Sequence, residues 1–196
     1  MAQRQELRYR RAALSQRSDP VDLSLDIAGP GAISIRPLLA GDSLDEITNL
    51  LHRAYAVLAD MGLKFMATDQ IVEVTRARVA QGECFVATSS GNVIVGTIVF
   101  RNGAQTKGCP WYDRPEVASF GQFAVEPGLQ SNGLGRRLLA HVEERARASG
   151  SGEIALDTAE PARHLVDWYG RLGYRVIETA QWGHTNYRSV IMSKTL

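Results

Sequence analysis

The chain has 196 residues, of which 44% are hydrophobic and 22% charged, as in an ordinary globular protein. A net charge of +1 gives no general attraction to nucleic acid or to membrane lipids, so we expect neither as a partner. No apolar run is long enough for a membrane span, and the N-terminus lacks a signal-peptide core, which favours a cytoplasmic location. The two cysteines, Cys84 and Cys109, have no metal-ligand spacing, so we expect buried free thiols and no metal.

Composition divides the chain into a basic N-terminal extension, residues 1–30, and one domain, residues 31–196. Its first twenty residues hold five arginines against two acidic residues, Glu6 and Asp19. We expect either a frayed tail or a short helix docked on a neighbour, or else a basic arm that holds an acidic partner or nucleic acid.

The first half of the domain predicts a strand, two helices and a hairpin. Ile33 and Ile35 alternate with polar residues, and Ser43-x-x-Glu46 is a capping box that opens a helix. A second helix is predicted from Gln70 to about Ala80. Strands at 84–88 and 93–100 follow, and then a loop of about fifteen residues, in which Trp111 and Tyr112 either cover a site or pack beneath the loop.

The central stretch predicts a strand, a glycine-bearing turn and a helix in direct succession. The strand VASFGQFAVEP stops at Pro127, and the helix carries a buried stripe at four-residue steps. The first turn of a helix has unpaired amide hydrogens and a positive dipole end, and Gly133 and Gly135 keep side chains away from them. With Arg136 beside them, these residues predict a pyrophosphate site. Neither a P-loop nor a G-x-G-x-x-G fingerprint fits the spacing.

Downstream, a strand at 154–157, a helix after Pro161 and strands near 176–177 and 190–192 complete the chain. Leu165, Tyr169 and Leu172 share one face of that helix. The element order is β, α, α, β, β, β, α, β, α, β, β. It predicts an α/β fold with a mixed, mostly antiparallel sheet and helices on both faces.

Two motifs carry a resemblance to the GCN5-related N-acetyltransferases. Q-S-N-G-L-G, residues 130–135, resembles the family's Q/R-x-x-G-x-G/A acyl-CoA signature, and W-Y-G-R-L-G-Y, residues 168–174, is similar to its aromatic-Tyr-x-x-x-Gly-aromatic segment. The resemblance covers about residues 32–196 and implies acetyl-CoA as co-substrate. It implies that the coenzyme is held by Phe123, Ala124, Val125, Gln130, Ser131, Asn132, Gly133, Leu134, Gly135 and Arg136. It also implies that Tyr169 protonates the leaving sulfur.

The sequence departs from that family at two places. The strand positions that often carry a Glu or His base hold Ser119 and Gly121, and Ala162 stands where many relatives have a pantetheine-binding asparagine. Glu116, Asp157 and His184 remain in reach as proton acceptors, and we expect an ordered water chain before any of them.

The resemblance implies that the region between the first two helices walls the acceptor site. Tyr55, Met61, Phe65 and Met66 would then line an apolar acceptor pocket, although such residues more often belong to an ordinary core. With Tyr55 and Phe65, the candidate acceptor-binding residues are Gln122, Trp182 and His184.

These observations predict an enzyme that moves an acetyl group from acetyl-CoA directly to an amine, either a small molecule or a peptide. The alternative is a non-catalytic acyl-CoA sensor or scaffold that binds a partner through its basic extension. The identity of the amine stays open, because fold does not fix function. We also expect that the chain can form a homodimer.

Overall fold

The computed structural model describes residues 33–196, so the basic extension lies outside the described residues. The strands are β1 (Ser34–Pro37), β2 (Glu83–Thr88), β3 (Ile94–Arg101), β4 (Val117–Val125), β5 (Glu153–Ala159), β6 (Arg175–Ala180) and β7 (Ser189–Thr195). The α-helices are α1 (Leu44–Asp60), α2 (Val72–Val79), α3 (Leu134–Ala148) and α4 (Arg163–Arg171). Over these residues the predicted order of elements is confirmed.

Some element ends differ from the prediction for physical reasons. Helix α2 begins at Val72 rather than Gln70, because the Gln70 side chain is buried and hydrogen-bonded before the helix starts. Strands β5 and β7 are longer than predicted, because they pair with each other over the full length of both. Antiparallel pairing thus extends strands through polar residues that no hydrophobic pattern marks.

The strands form one mixed sheet in the order β1-β2-β3-β4-β5-β7-β6, in which only the β4–β5 pair is parallel. Helices α3 and α4 pack on one face, where Leu138 and Val142 are fully buried against residues such as Phe100. Helix α1 packs Ile47 and Leu51 on the opposite face. The predicted mixed sheet with helices on both faces is therefore confirmed. Within residues 33–196 no helix has both the length and the apolar character needed to cross a membrane.

The parallel pair at the centre of the sheet is short. Pairing runs from Val117↔Glu153 to Ser119↔Ala155, although the two strands continue to Val125 and Ala159. Each strand keeps its outer partner over this stretch, β3 for β4 and β7 for β5. A bulge at Gln122, whose φ is 45°, also bends β4 here. The sheet consequently opens between the ends of β4 and β5, and we call this opening the central cleft.

The turn between α2 and β2 depends on a glycine. A Cβ at Gly82 would lie 1.9 Å from the Phe100 carbonyl oxygen, which belongs to the backbone of β3 and cannot move aside. We expect Gly82→Ala to lower the free energy of unfolding by about 1–3 kcal/mol, the usual cost of overpacking. Chemical denaturation measures this.

Gly41→Ala is the matched control, because a Cβ there meets no atom within 4 Å. Equal unfolding midpoints for the two variants would contradict the packing described at Gly82.

Candidate active site

Helix α3 begins without a side-chain cap. Its N-cap is Gly133, in the left-handed region with φ 83°, and Ser131 just before it also has a positive φ of 66°. The first helical hydrogen bond runs from the Arg137 N–H to the Gly133 carbonyl, so the amides between them have no partner in the helix. The first turn contains no acidic residue, and Arg136 is exposed beside it. These features suit an anion.

The loop before α3 is tied to the end of β4. The Gln130 side-chain amide donates to the Val125 carbonyl at 3.2 Å, which fixes where the helix starts relative to the strand. Asn132 is exposed, whereas the Leu134 side chain is buried in the core, so only the backbone of Leu134 can meet a ligand. Close packing of α3 on the sheet uses Gly96, where a Cβ would be 2.9 Å from Leu138 Cδ1.

At the end of β4, two backbone carbonyls each accept one hydrogen bond from a side chain. The Phe123 carbonyl accepts from the Tyr55 hydroxyl at 3.2 Å, and the Val125 carbonyl accepts from Gln130. A carbonyl oxygen accepts two hydrogen bonds, so each keeps one position for a ligand. The Ala124 side chain is buried beneath α1, which again leaves only its backbone available.

Tyr169 lies on α4 with its ring in the aromatic core. Its ring centroid is 4.9 Å from that of Trp168 and 5.8 Å from that of Tyr174. The hydroxyl makes no hydrogen bond to any residue in 33–196, yet it is not sealed from solvent. Burial, with smaller contributions from Tyr55 and Asp157, raises the pKa of Tyr169 far above its usual range. The phenol therefore stays protonated at neutral pH and can act as a donor.

Asp157 lies on β5, beyond the last β4–β5 pair, and is exposed in the central cleft. One carboxylate oxygen accepts from Trp182 Nε1 at 3.0 Å and from Ser189 Oγ at 3.4 Å, and the other accepts from the Tyr112 hydroxyl at 3.5 Å. Its negative charge adds to the effect of burial in raising the pKa of four surrounding tyrosines: Tyr55, Tyr112, Tyr169 and Tyr187. Asp157 is thus the carboxylate about which these hydroxyls cluster.

The other two proton-acceptor candidates lie elsewhere. Glu116 is exposed just before β4 and is in an ion pair with Arg114 at 2.6 Å. His184 lines a groove of about 450 Å³ formed with the α1–α2 connection. Ser119 is buried with its hydroxyl 2.9 Å from that of Thr106. Of these proton-acceptor candidates, only Asp157 lies on β5 beyond the last β4–β5 pair, at the opening of the sheet.

Two of the aromatic acceptor candidates, Tyr55 and Phe65, belong to one packed cluster, whereas Trp182 belongs to another. Phe65 packs against Tyr55 with ring centroids 5.4 Å apart and against Tyr187 at 4.8 Å. Ala162, at the position of the family's asparagine, is buried in the same cluster. Phe65 also lines the groove with His184 and Met66, whereas Met61 is 45% exposed. Phe65 therefore belongs both to this packed cluster and to the lining of the groove.

Tyr112 and Trp111, on the loop between β3 and β4, have different roles. Tyr112 is buried beneath the loop and sends its hydroxyl towards Asp157. Trp111 packs under the Arg114 guanidinium, 4.4 Å from the ring centroid. The loop thus packs on the sheet and contributes one hydroxyl to the cleft.

Two arginines that no motif marks also reach this region. Arg101 ends β3 and lies over Gly121, while Arg78 projects from α2 and donates to Gln70 Oε1 at 2.7 Å. Gln122 is buried and accepts from Gln70 Nε2 at 3.0 Å, so it faces α2 as well. Strand alternation with Thr97 and Val99 could have placed Arg101 on this face, but nothing in the sequence signals Arg78.

Within residues 33–196 no three His, Cys, Asp or Glu side chains come together to hold a metal ion. Cys84 and Cys109 are buried and unpaired, as expected from the sequence.

Both a family model and a protein of known sequence match this chain. A family model described as acetyltransferase (GNAT) family matches residues 44–174. The chain is 27% identical over 135 residues to S-(2-succino)cysteine N-acetyltransferase of Bacillus subtilis, covering 66% of this chain and 77% of that protein.

Among solved structures, the fold is similar to a Pyrococcus horikoshii protein at TM-score 0.63 and 23% identity, covering 84% of this chain and 98% of the other. It is also similar to an Elizabethkingia anophelis GNAT family acetyltransferase with acetyl-CoA bound, at TM-score 0.59 and 20% identity over the same shares. At these identities the structural likeness concerns the fold alone.

Proposed function

Because this chain belongs to the acetyltransferase (GNAT) family, we propose that it transfers the acetyl group of acetyl-CoA directly to an amine. One observation carries the proposal: the uncapped start of α3 follows the end of β4 at the central cleft, and Asp157 across the cleft is near enough to Tyr169 to contribute to its raised pKa. We assign the activity to the domain at residues 31–196. The Elizabethkingia relative, which has acetyl-CoA bound, supports acetyl-CoA as co-substrate.

The coenzyme diphosphate would bind the free amides of the first turn of α3, with Arg136 adding positive charge. Gly133 and Gly135 allow the phosphates to approach the backbone, since neither carries a side chain. The pantetheine arm would run along β4, where the Phe123 and Val125 carbonyls each keep one free acceptor position. Gln130 contributes by fixing the loop rather than by direct contact. This path leads the thioester into the cleft beside Tyr169.

The acceptor amine must lose a proton before it attacks. An alkyl ammonium with a pKa near 10.4 is neutral in about one molecule in 2,500 at pH 7, a handicap of about 4.6 kcal/mol. We assign that proton to Asp157, directly or through a bound water, and the exposure of its carboxylate on β5 beyond the β4–β5 ladder supports this role.

The transfer then needs no covalent enzyme intermediate. The amine nitrogen attacks the thioester carbonyl carbon, a carbon–nitrogen bond forms, and the carbon–sulfur bond breaks. The departing thiolate takes a proton from Tyr169, while the amine proton passes to Asp157. The products are an N-acetylated acceptor and CoA with a free thiol, and proton exchange with solvent restores both side chains.

A panel of amines incubated with acetyl-CoA, read as released thiol, tests the activity. With any amine that reacts, we expect Tyr169→Phe to lower turnover by about tenfold or more, because positioned acids contribute about 10² to 10⁴ in rate. Acetyl-CoA affinity should hardly change. Tyr174→Phe is the control, since it removes a buried hydroxyl that bonds Glu143 and affects stability instead. Equal turnover in the Tyr169→Phe and unsubstituted proteins would remove Tyr169 from the mechanism.

Asp157→Asn tests the proton acceptor in the same assay. Asparagine keeps the shape of the side chain and an oxygen for Trp182, but it cannot take the proton. We expect turnover to fall by about 10² or more, whereas Glu116→Gln and His184→Gln should stay within about twofold of the unsubstituted protein. A loss that occurs in His184→Gln but not in Asp157→Asn would assign the role to the histidine.

A further inference from the structure

Beside the cleft lie two arginines, Arg78 and Arg101, that form no ion pair with any residue in 33–196. The Arg101 guanidinium lies over β4, where a Cβ at Gly121 would be only 2.9 Å from its Nη2, so the glycine makes the room that the guanidinium occupies. Its one hydrogen bond among the described residues is a long one, 3.5 Å from Nη1 to Gln81 Oε1. Every ion pair in residues 33–196 involves other cations.

The two arginines are close enough to act on each other. Burial lowers the pKa of Arg78, and the charge of Arg101 lowers it further. Both arginines also lie near Asp157. The charge of Asp157 acts to raise the pKa of Arg78, and the charge of Arg101 acts to lower the pKa of Tyr112, which hydrogen-bonds Asp157. Two partly buried cations side by side are unfavourable unless an anion joins them.

The orientation of Arg78 is fixed by a side-chain network. Arg78 donates to Gln70 Oε1 at 2.7 Å, and Gln70 in turn donates to Gln122 Oε1 and to Thr75 Oγ1. Because the Gln70 oxygen is engaged by the arginine, its amide nitrogen must face Gln122. The guanidinium is therefore held in place before any ligand arrives, as in a preorganised binding site.

Hydrogen-bond donors are left over at this place. Arg101 Nε and Gln122 Nε2 are both buried and have no acceptor among residues 33–196, and Gln122 itself is only 3% exposed. Buried donors in native proteins are normally satisfied. Here a surplus of donors and of positive charge lies beside Gly121, so the missing partner is a group that supplies oxygen acceptors and negative charge.

We propose that Arg78 and Arg101 bind a carboxylate of the acceptor, so that the acceptor is an amino acid or another amine that carries a carboxylate. The guanidinium fork matches a carboxylate, and Asp157, on the facing strand β5, takes the ammonium end of the same molecule. The inference rests on the proposed acetyl transfer. It disfavours polyamines, whose only charges are positive.

Kinetics with acid and amide pairs test this selectivity. Amino acids and their carboxamides, such as aspartate with asparagine and glutamate with glutamine, are compared as acceptors with acetyl-CoA. The best acceptor should carry a carboxylate whose conversion to an amide lowers kcat/KM by about tenfold or more. Arg101→Gln and Arg78→Gln should each raise KM for that acceptor by about tenfold while KM for acetyl-CoA stays within about twofold.

Arg147→Gln, at the far end of α3, is the matched control and should change neither constant. Acetyl transfer that proceeds equally well to acids and amides would overturn the carboxylate proposal and leave the acetyltransferase intact.

If no amine is acetylated, calorimetry with succinate, a dicarboxylate without an amine, tests whether Arg78 and Arg101 bind a carboxylate. Succinate that binds the unsubstituted protein, and binds Arg101→Gln about tenfold more weakly, would support the arginine site although the proposed reaction had failed. In that case, succinate that gives no heat, or equal affinity in both proteins, would overturn the site as well.

Discussion

The candidate active site exists because β4 and β5 pair with each other over only three residues. Their ladder ends at Ser119↔Ala155, and beyond it each strand is committed to its outer neighbour. Since the two inner edges do not pair there, backbone groups in the middle of the sheet stay available to a ligand. Helix α3 starts just after the end of β4, Tyr169 lies beneath the opening, and Asp157 enters from β5. One interruption in pairing therefore brings together groups from distant parts of the chain.

Charge is distributed unequally around that opening. The start of α3 is positive because its amides are uncapped and Arg136 is beside them, while Asp157 is negative further along the cleft. Arg78 and Arg101 form a second positive region on the α2 side. A coenzyme diphosphate at one end and a zwitterionic acceptor at the other would each meet a complementary charge. Their reacting ends would then converge near Tyr169, where positioning alone accelerates a reaction between two bound molecules.

Local patterns predicted the scaffold well, since its signals lie within single elements. Leu138 and Val142 follow one face of α3 at helical spacing, and both are fully buried. The glycine turn before α3 and its uncapped start were also readable from sequence.

The acceptor side of the site was not readable from sequence, because it depends on tertiary register. The place of Arg101 follows from the bulge at Gln122 and from the small size of Gly121, neither of which a motif records. Two donors to Asp157, Trp182 and Tyr112, come from separate loops that only the folded sheet brings together.

The central claim is that the first turn of α3 binds the coenzyme diphosphate. Calorimetric titration of CoA into the unsubstituted protein, Arg136→Glu and Arg147→Glu tests it most directly, because the two variants change the charge equally at opposite ends of one helix. The account predicts binding that weakens by about tenfold or more in Arg136→Glu and is unchanged in Arg147→Glu. No heat with the unsubstituted protein, or equal affinity in all three proteins, would contradict it.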